Sequence, residues 1–178
     1  NLDGTIPDDN PIIDGVQSHV FNYGHRNPQG LVFDASGRLF EAEHGPRTDD
    51  EVNRIEVGGN YGWPDVAGYQ DDQAYEYANW SASAPTPCGE LDNSRDPPVS
   101  VPSQMESQWS HADFKGPLAI FFTVENDYDF AANGAATVAA GGLDVYTHAD
   151  GVPDWADSLL LASLTRGAVY RLRLRADH

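Results

Sequence analysis

One cysteine, one methionine and one lysine occur in this chain of 178 residues. Cys88 has no second thiol to meet, so no intrachain disulfide staples the fold. Basic residues are scarce: 10 Lys and Arg stand against 28 Asp and Glu, a formal net charge of −18. Such a surface repels phosphate backbones and anionic lipid, which argues against nucleic acid and membranes as partners. No apolar run is long enough to cross a bilayer, so no membrane insertion is expected. No Met starts the chain, which opens inside a motif at Asn1; a processed or truncated product is expected. The 40% of apolar residues is enough for one substantial core. The acidity has two readings, high solubility and adaptation to high salt, and composition leaves both open.

Long helical periodicity is also missing. Short strand-like runs cover 15–23, 31–33, 38–43, 51–55, 119–124, 142–147, 158–161 and 168–174. Turn pairs separate them, at Asp3–Gly4, Asp34 to Gly37, Gly58 to Asn60, Asn133–Gly134 and Asp150–Gly151. The stretches 80–88 and 99–109 read as irregular. Residues 30–40 and 142–172 share one grammar of strand, tight turn and strand. The pattern is all-β with long loops, a propeller or a sandwich. At roughly 40–50 residues per blade, a propeller chain of this length holds about three blades.

Two polar loops carry the chemistry. His25-Arg26-Asn27-Pro28-Gln29-Gly30 precedes one strand, and Glu43-His44-Gly45-Pro46-Arg47 follows the next. Arg26 offers a planar fork and Asn27 a donor and an acceptor, which suit an anionic ligand; equally, Arg26 ties its loop to a nearby Asp. His25 and His44 lack metal spacing with another His and read as hydrogen-bonded loop residues. Residues 60–77 read either as a calcium loop using Asp71, Asp72 and carbonyls, or as an aromatic-rich cover over the β core. Arg166, Arg171, Arg173 and Arg175 make a basic end, with the last three on one strand face and paired with carboxylates.

GHRNPQG, EHGPRTDDEVN, GGNYGWPDVAGYQDD and AYEYANWS, in that order, resemble the soluble sugar dehydrogenases that use pyrroloquinoline quinone (PQQ). DGTIPDDNP at the start, MESQW, FTVEND, PDW and SLTRG extend the resemblance over most of the chain. It implies a central fragment of a six-bladed β-propeller that oxidises the C1 hydroxyl of an aldose such as glucose to a lactone. By that resemblance Arg26, Asn27 and Gln29 lie at the quinone, and Thr165 stands where a quinone-binding lysine is found. The carbonyls of Gly45 and Pro46 would ligate the cofactor calcium. Glu51, Tyr61, Ala67, Tyr69, Asp71 and Glu106 would hold further calcium, several through main-chain oxygens.

The resemblance also implies what this stretch does not hold. The family's base is a His in an earlier blade, and an arginine pair that grips the quinone follows the last strand seen here. No catalytic residue is therefore assigned within the chain. His44 stands where the glucose enzymes carry Gln and the aldose enzymes His. The expected setting is periplasmic or extracellular, with an aldose as substrate. A homodimer or missing propeller segments would complete the molecule. The alternative is a non-catalytic, calcium-stabilised propeller-like module that binds carbohydrate or a partner.

Overall fold

The computed structural model describes residues 1–82 and 101–174. Cys88 and Arg175, and most of the irregular stretch 80–88, lie outside the described residues.

The chain opens with a small hairpin, β1 (Ile12–Ile13) and β2 (Val16–Gln17). Its two connecting residues, Asp14 and Gly15, both have positive φ (51° and 77°), as a tight hairpin turn with the right twist demands. The longer strand expected over 15–23 is cut to Val16–Gln17. Beyond it Asn10 donates to the Ser18 carbonyl at 2.7 Å and the backbone runs as loop.

Two antiparallel sheets follow. The first joins β3 (Pro28–Phe33), β4 (Leu39–Glu43), β5 (Asp50–Ile55) and β8 (Ala119–Phe121) in that order. The second joins β9 (Ala140–Tyr146), β10 (Ser158–Ser163) and β11 (Ala168–Arg173). Asp34 pins the β3–β4 turn by accepting from Ser36 N and Arg38 N at 2.9 and 2.8 Å. β8 stops at Phe121 rather than Val124, because Phe122 adopts φ 64° and leaves the ladder. Asn133–Gly134 marks the end of the four-residue helix α1 (Phe130–Asn133), with Gly134 at φ 74°.

Between β5 and β8 the chain makes a long excursion, residues 56–118. It carries a further two-stranded piece, β6 (Tyr77–Ala78) with β7 (Ser103–Gln104), which the sequence reading leaves as loop. The described residues thus make one four-stranded and one three-stranded blade-like sheet.

The core lies where the two sheets face each other. Phe40, Ala42 and Val52 of the first sheet meet Leu159, Leu161 and Ala140 of the second and Val138 on the segment entering it. All seven are fully buried. Phe121 and Tyr170 add an edge-to-face contact at 5.2 Å. Phe40→Ala empties the centre of this layer. It is expected to cost about 3–5 kcal/mol in denaturant unfolding. A loss near zero would place the core elsewhere.

The basic end differs from expectation. Among the described residues, Arg171 donates to Ser158 Oγ at 2.9 Å and to the Asp154 carbonyl, and lies over the Trp155 ring, so its partners there are a hydroxyl, a carbonyl and an indole instead of carboxylates.

Candidate functional site

Strand alternation gives β4 and β5 two faces. Phe40, Ala42 and Val52 point into the core. The register pairs Glu41 with Asn53 and Glu43 with Glu51 on the other face. That face is buried as well: Glu41 and Glu43 are 2% exposed, Glu51 6% and Asn53 0%. Asn53 Nδ2 donates to Glu41, Glu43 and Glu51 at 3.1, 3.3 and 3.3 Å. The excursion covers the cluster, with Gly68 N donating to Glu51 Oε1 at 3.0 Å. His25 lies 3.1 Å from Glu43 Oε1 through Nδ1 and stacks on Tyr61 at 4.5 Å.

Glu43 also fixes the first polar loop. Its Oε2 accepts from the backbone N of Arg26 at 2.6 Å and of Asn27 at 3.0 Å. His44 N donates to the Asn27 carbonyl at 3.2 Å, and Arg26 Nη1 donates to the His44 carbonyl at 3.2 Å. The Arg26 guanidinium sits over the Trp63 ring at 5.3 Å, and Gln29 Nε2 donates to Asn27 Oδ1 at 2.8 Å. Arg26, Asn27 and Gln29 remain exposed. They are gathered beside the loop that carries Gly45 and Pro46.

Asp50 holds that second loop. Oδ1 accepts from Gly45 N at 3.1 Å, and Oδ2 accepts from Val138 N and Ala139 N at 2.8 and 2.7 Å. His44 Nε2 meets the Ala140 carbonyl at 2.8 Å, so its N–H donates there. Thr165 N and Oγ1 donate to the carbonyls of Val138 and Thr137 at 3.4 and 3.1 Å. Thr165 therefore touches the same segment that Asp50 clips to Gly45, and its hydroxyl is committed to backbone. A Cβ on Gly45 would run into the Thr48 carbonyl. Gly45→Ala is expected to displace the loop and cost about 1–3 kcal/mol, read as a lower thermal midpoint. An unchanged midpoint would show that the loop has room.

The second set of expected residues meets around 67–72. Glu106 is fully buried; Oε1 accepts from Ala67 N at 2.9 Å and Oε2 from Asp72 N at 3.0 Å. Glu51 reaches the same loop at Gly68. Tyr69 and Asp71 are exposed on it, the Tyr69 carbonyl accepting from Asp71 N at 2.8 Å. The Tyr61 hydroxyl is engaged, donating to the Arg54 carbonyl at 2.7 Å and accepting from Glu56 N at 2.8 Å.

Sequence reasoning missed Asp49. It is 2% exposed, accepts from the Thr123 hydroxyl, and leaves Oδ2 buried without a partner. It packs against Gly68, where a Cβ would come within 2.8 Å of Asp49 Cβ. The run Asp49-Asp50-Glu51 marks the place as acidic, but Asp49 precedes β5 and takes φ 59°, so strand alternation does not place its side chain.

Burial sets the electrostatics. Desolvation first, and then the Glu43 charge, push Glu41 up to about 9 and Glu51 up to about 8. Desolvation raises Glu106 to about 7 and Asp49 to about 6, with the Asp71 charge adding to each. Buried carboxylates in this state take up protons or a cation.

The chain is similar to known proteins along nearly its whole length. The Glucose / Sorbosone dehydrogenase family model matches residues 1–119. Quinoprotein glucose dehydrogenase B of Acinetobacter calcoaceticus is 43% identical over 190 residues, covering 98% of this chain and 38% of that protein. The apo-form crystal structure of the soluble aldose sugar dehydrogenase of Escherichia coli superposes with a TM-score of 0.60 at 28% identity, covering 98% of this chain and 40% of that one. The PQQ-bound aldose sugar dehydrogenase of Streptomyces coelicolor gives 0.54 at 24% identity, covering 98% and 33%, a likeness of fold. The chain thus spans about two fifths or less of the length of these relatives. The two sheets are blades of a β-propeller. Matched over most of its residues by the family model, the chain belongs to the Glucose / Sorbosone dehydrogenase family.

Proposed function

We propose that the chain is the part of a PQQ- and calcium-dependent sugar dehydrogenase that holds calcium and one side of the quinone. The observation that carries this is the convergence of Arg26 and Asn27 on the Glu43 carboxylate and the His44 backbone, next in the chain to the Gly45–Pro46 loop that Asp50 holds. The residues fit the groups. An exposed guanidinium and amide suit the quinone's carboxylates, and oxygen donors from Gly45, Pro46, Glu51, Ala67, Asp71 and Glu106 suit a hard cation. Asp49 adds a buried carboxylate oxygen with no other partner. When bound, PQQ would supply the hydride acceptor, and calcium the Lewis acid, for oxidation of an aldose at C1 to a lactone.

This chain's own residues position and bind. Glu43 holds the Arg26 and Asn27 amides so that both side chains face outward from one loop. Asp50 fixes Gly45 against the second blade. The sequence-matched relatives support the dehydrogenase reading over a non-catalytic module. The setting proposed is periplasmic or extracellular, in line with one Cys in the chain.

The grip on the quinone is partial. Thr165 offers a hydroxyl already donated to Thr137 where the family pattern has a cation. His25 and His44 are engaged by Glu43 and by the Ala140 carbonyl. The 178-residue chain titrated with PQQ and calcium is therefore expected to bind weakly and to give background dye reduction with aldoses. Arg26→Ala removes a charge-assisted contact worth about 1.5–3 kcal/mol, and Thr165→Lys is expected to tighten binding by about tenfold or more. Quinone affinity indifferent to both substitutions would move the site elsewhere.

Further propeller segments complete the molecule in this reading. Leu31 and Phe33 of β3 are 65% exposed on the face opposite Val32, which packs on the core. A neighbouring blade would cover that face. Molecular mass in solution discriminates: a monomer that associates with added propeller segments supports completion, and a stable pair of identical chains supports a homodimer instead.

A further inference from the structure

We propose that His25, Glu41 and Glu43 form a binding site for one divalent first-row transition-metal ion, separate from the calcium loop. The site goes beyond the quinone-and-calcium reading and does not depend on it. His25 Nδ1 lies 3.1 Å from Glu43 Oε1 and 3.8 Å from Glu41 Oε2, and one ligand atom from each residue fits within 4.8 Å of the others. An imidazole nitrogen with two carboxylate oxygens is a donor set for zinc or manganese; calcium takes oxygen ligands.

Three further observations point to a ligand here. First, Glu41 is 2% exposed and its Oε1 has no hydrogen-bond partner. Second, the fully buried Asn53 carboxamide is aimed into the cluster. Its Nδ2 contacts three carboxylates while its Oδ1 is left without a partner. Turning that amide over places the oxygen among the carboxylates, where a cation satisfies it and removes their mutual repulsion. Third, the ring of Tyr61 stacks on His25 with an interplanar angle of 21°, which fixes the imidazole plane with Nδ1 toward the glutamates. The His25 side chain is 15% exposed, the way in for an ion. Glu43 keeps Oε2 on the Arg26 and Asn27 amides and offers Oε1 inward, so ligation leaves the polar loop in place.

The test uses the 178-residue chain stripped with a chelator and then saturated with calcium, with Mn²⁺ as the probe. One Mn²⁺ per chain is expected, with electron-spin-echo modulation from an imidazole nitrogen, and Zn²⁺ should displace it, as the affinity order of these ions requires. His25→Phe keeps a ring on Tyr61 but removes the nitrogen. It should abolish the modulation and weaken Mn²⁺ by about tenfold or more. Glu41→Gln should weaken it likewise, and Asp71→Asn, confined to the calcium loop, should leave it unchanged. Absence of calcium-resistant Mn²⁺ overturns the proposal and leaves His25 paired with Glu43 alone. So does nitrogen modulation that survives His25→Phe, or Mn²⁺ lost in Asp71→Asn. The wild-type spectrum decides even where a variant fails to fold, because manganese held only by oxygen shows no such modulation.

Discussion

Calcium is expected to raise the thermal midpoint of the metal-free chain, and to raise it more at pH 9 than at pH 5. Glu106, Glu51, Glu41 and Asp49 hold their protons more tightly folded than unfolded, through burial. What they contribute to stability is fully present below the unfolded carboxylate range, about 4, and fades as pH rises through about 6, 7, 8 and 9. Without metal, then, stability falls with rising pH. Calcium replaces the protons of Glu106, Glu51 and Asp49, the acids around its own loop, and so counts for most where they have left. At a calcium concentration a hundredfold above its dissociation constant the gain is about 2.7 kcal/mol. Differential scanning calorimetry with and without calcium, at both pH values, reads this directly. A flat pH profile without metal, together with no calcium shift, would show the acidic face to be satisfied by itself.

Asp50→Ala is expected to cost about 3–5 kcal/mol, among the largest losses from a single polar residue here. One carboxylate accepts from Gly45 N, Val138 N and Ala139 N, and it is fully buried. Removing it strands three donors away from water. The same clip joins the loop after β4 to the segment entering β9, so the two blades loosen where they carry Gly45 and Thr165. Urea unfolding measures the loss. Quinone affinity should fall in parallel, although the Asp50 carboxylate is spent on backbone amides. A variant as stable as the parent would mean that water enters and takes over the three donors.

The strands were largely legible and the site only in part. β3, β4, β5, β9, β10 and β11 follow from short apolar runs between Gly-rich turns, because those turns need positive φ and the runs need a face to bury. The polar face of β4 and β5 was not. Alternating Phe40-Glu41-Ala42-Glu43 and Glu51-Val52-Asn53 reads as a strand with one side in water. Here the excursion after β5 returns over that side, so the carboxylates are buried by residues distant in the chain. His25 illustrates the same limit. Judged by spacing to another His it is a loop residue; its partners turn out to be glutamates that β4 brings back beside it. Of the residues named by family resemblance, Arg26, Asn27 and Gln29 lie beside the loop of Gly45, and Glu51, Ala67 and Glu106 meet at 67–72, while the Tyr61 hydroxyl is engaged by Arg54 and Glu56. Asp49 escaped because only the folded loop reveals an acid with an oxygen left over.

The route of the chain through the first blade bears on how fast it can form. β3, β4 and β5 are joined by short turns and can assemble as a local meander. β8 must wait for residues 56–118 to be synthesised and gathered before Asp50 can pair with Phe121. Closing a loop of that length is entropically uphill until contacts repay it, and distant pairings of this kind slow folding. The carboxylates that receive Ala67, Gly68 and Asp72 sit at both ends of this detour, on Glu51 and Glu106. A cation captured there shortens the detour that remains to be closed. An ion that adds equilibrium stability to the finished blade would in that way also act as a kinetic splint, setting the rate at which the last strand arrives.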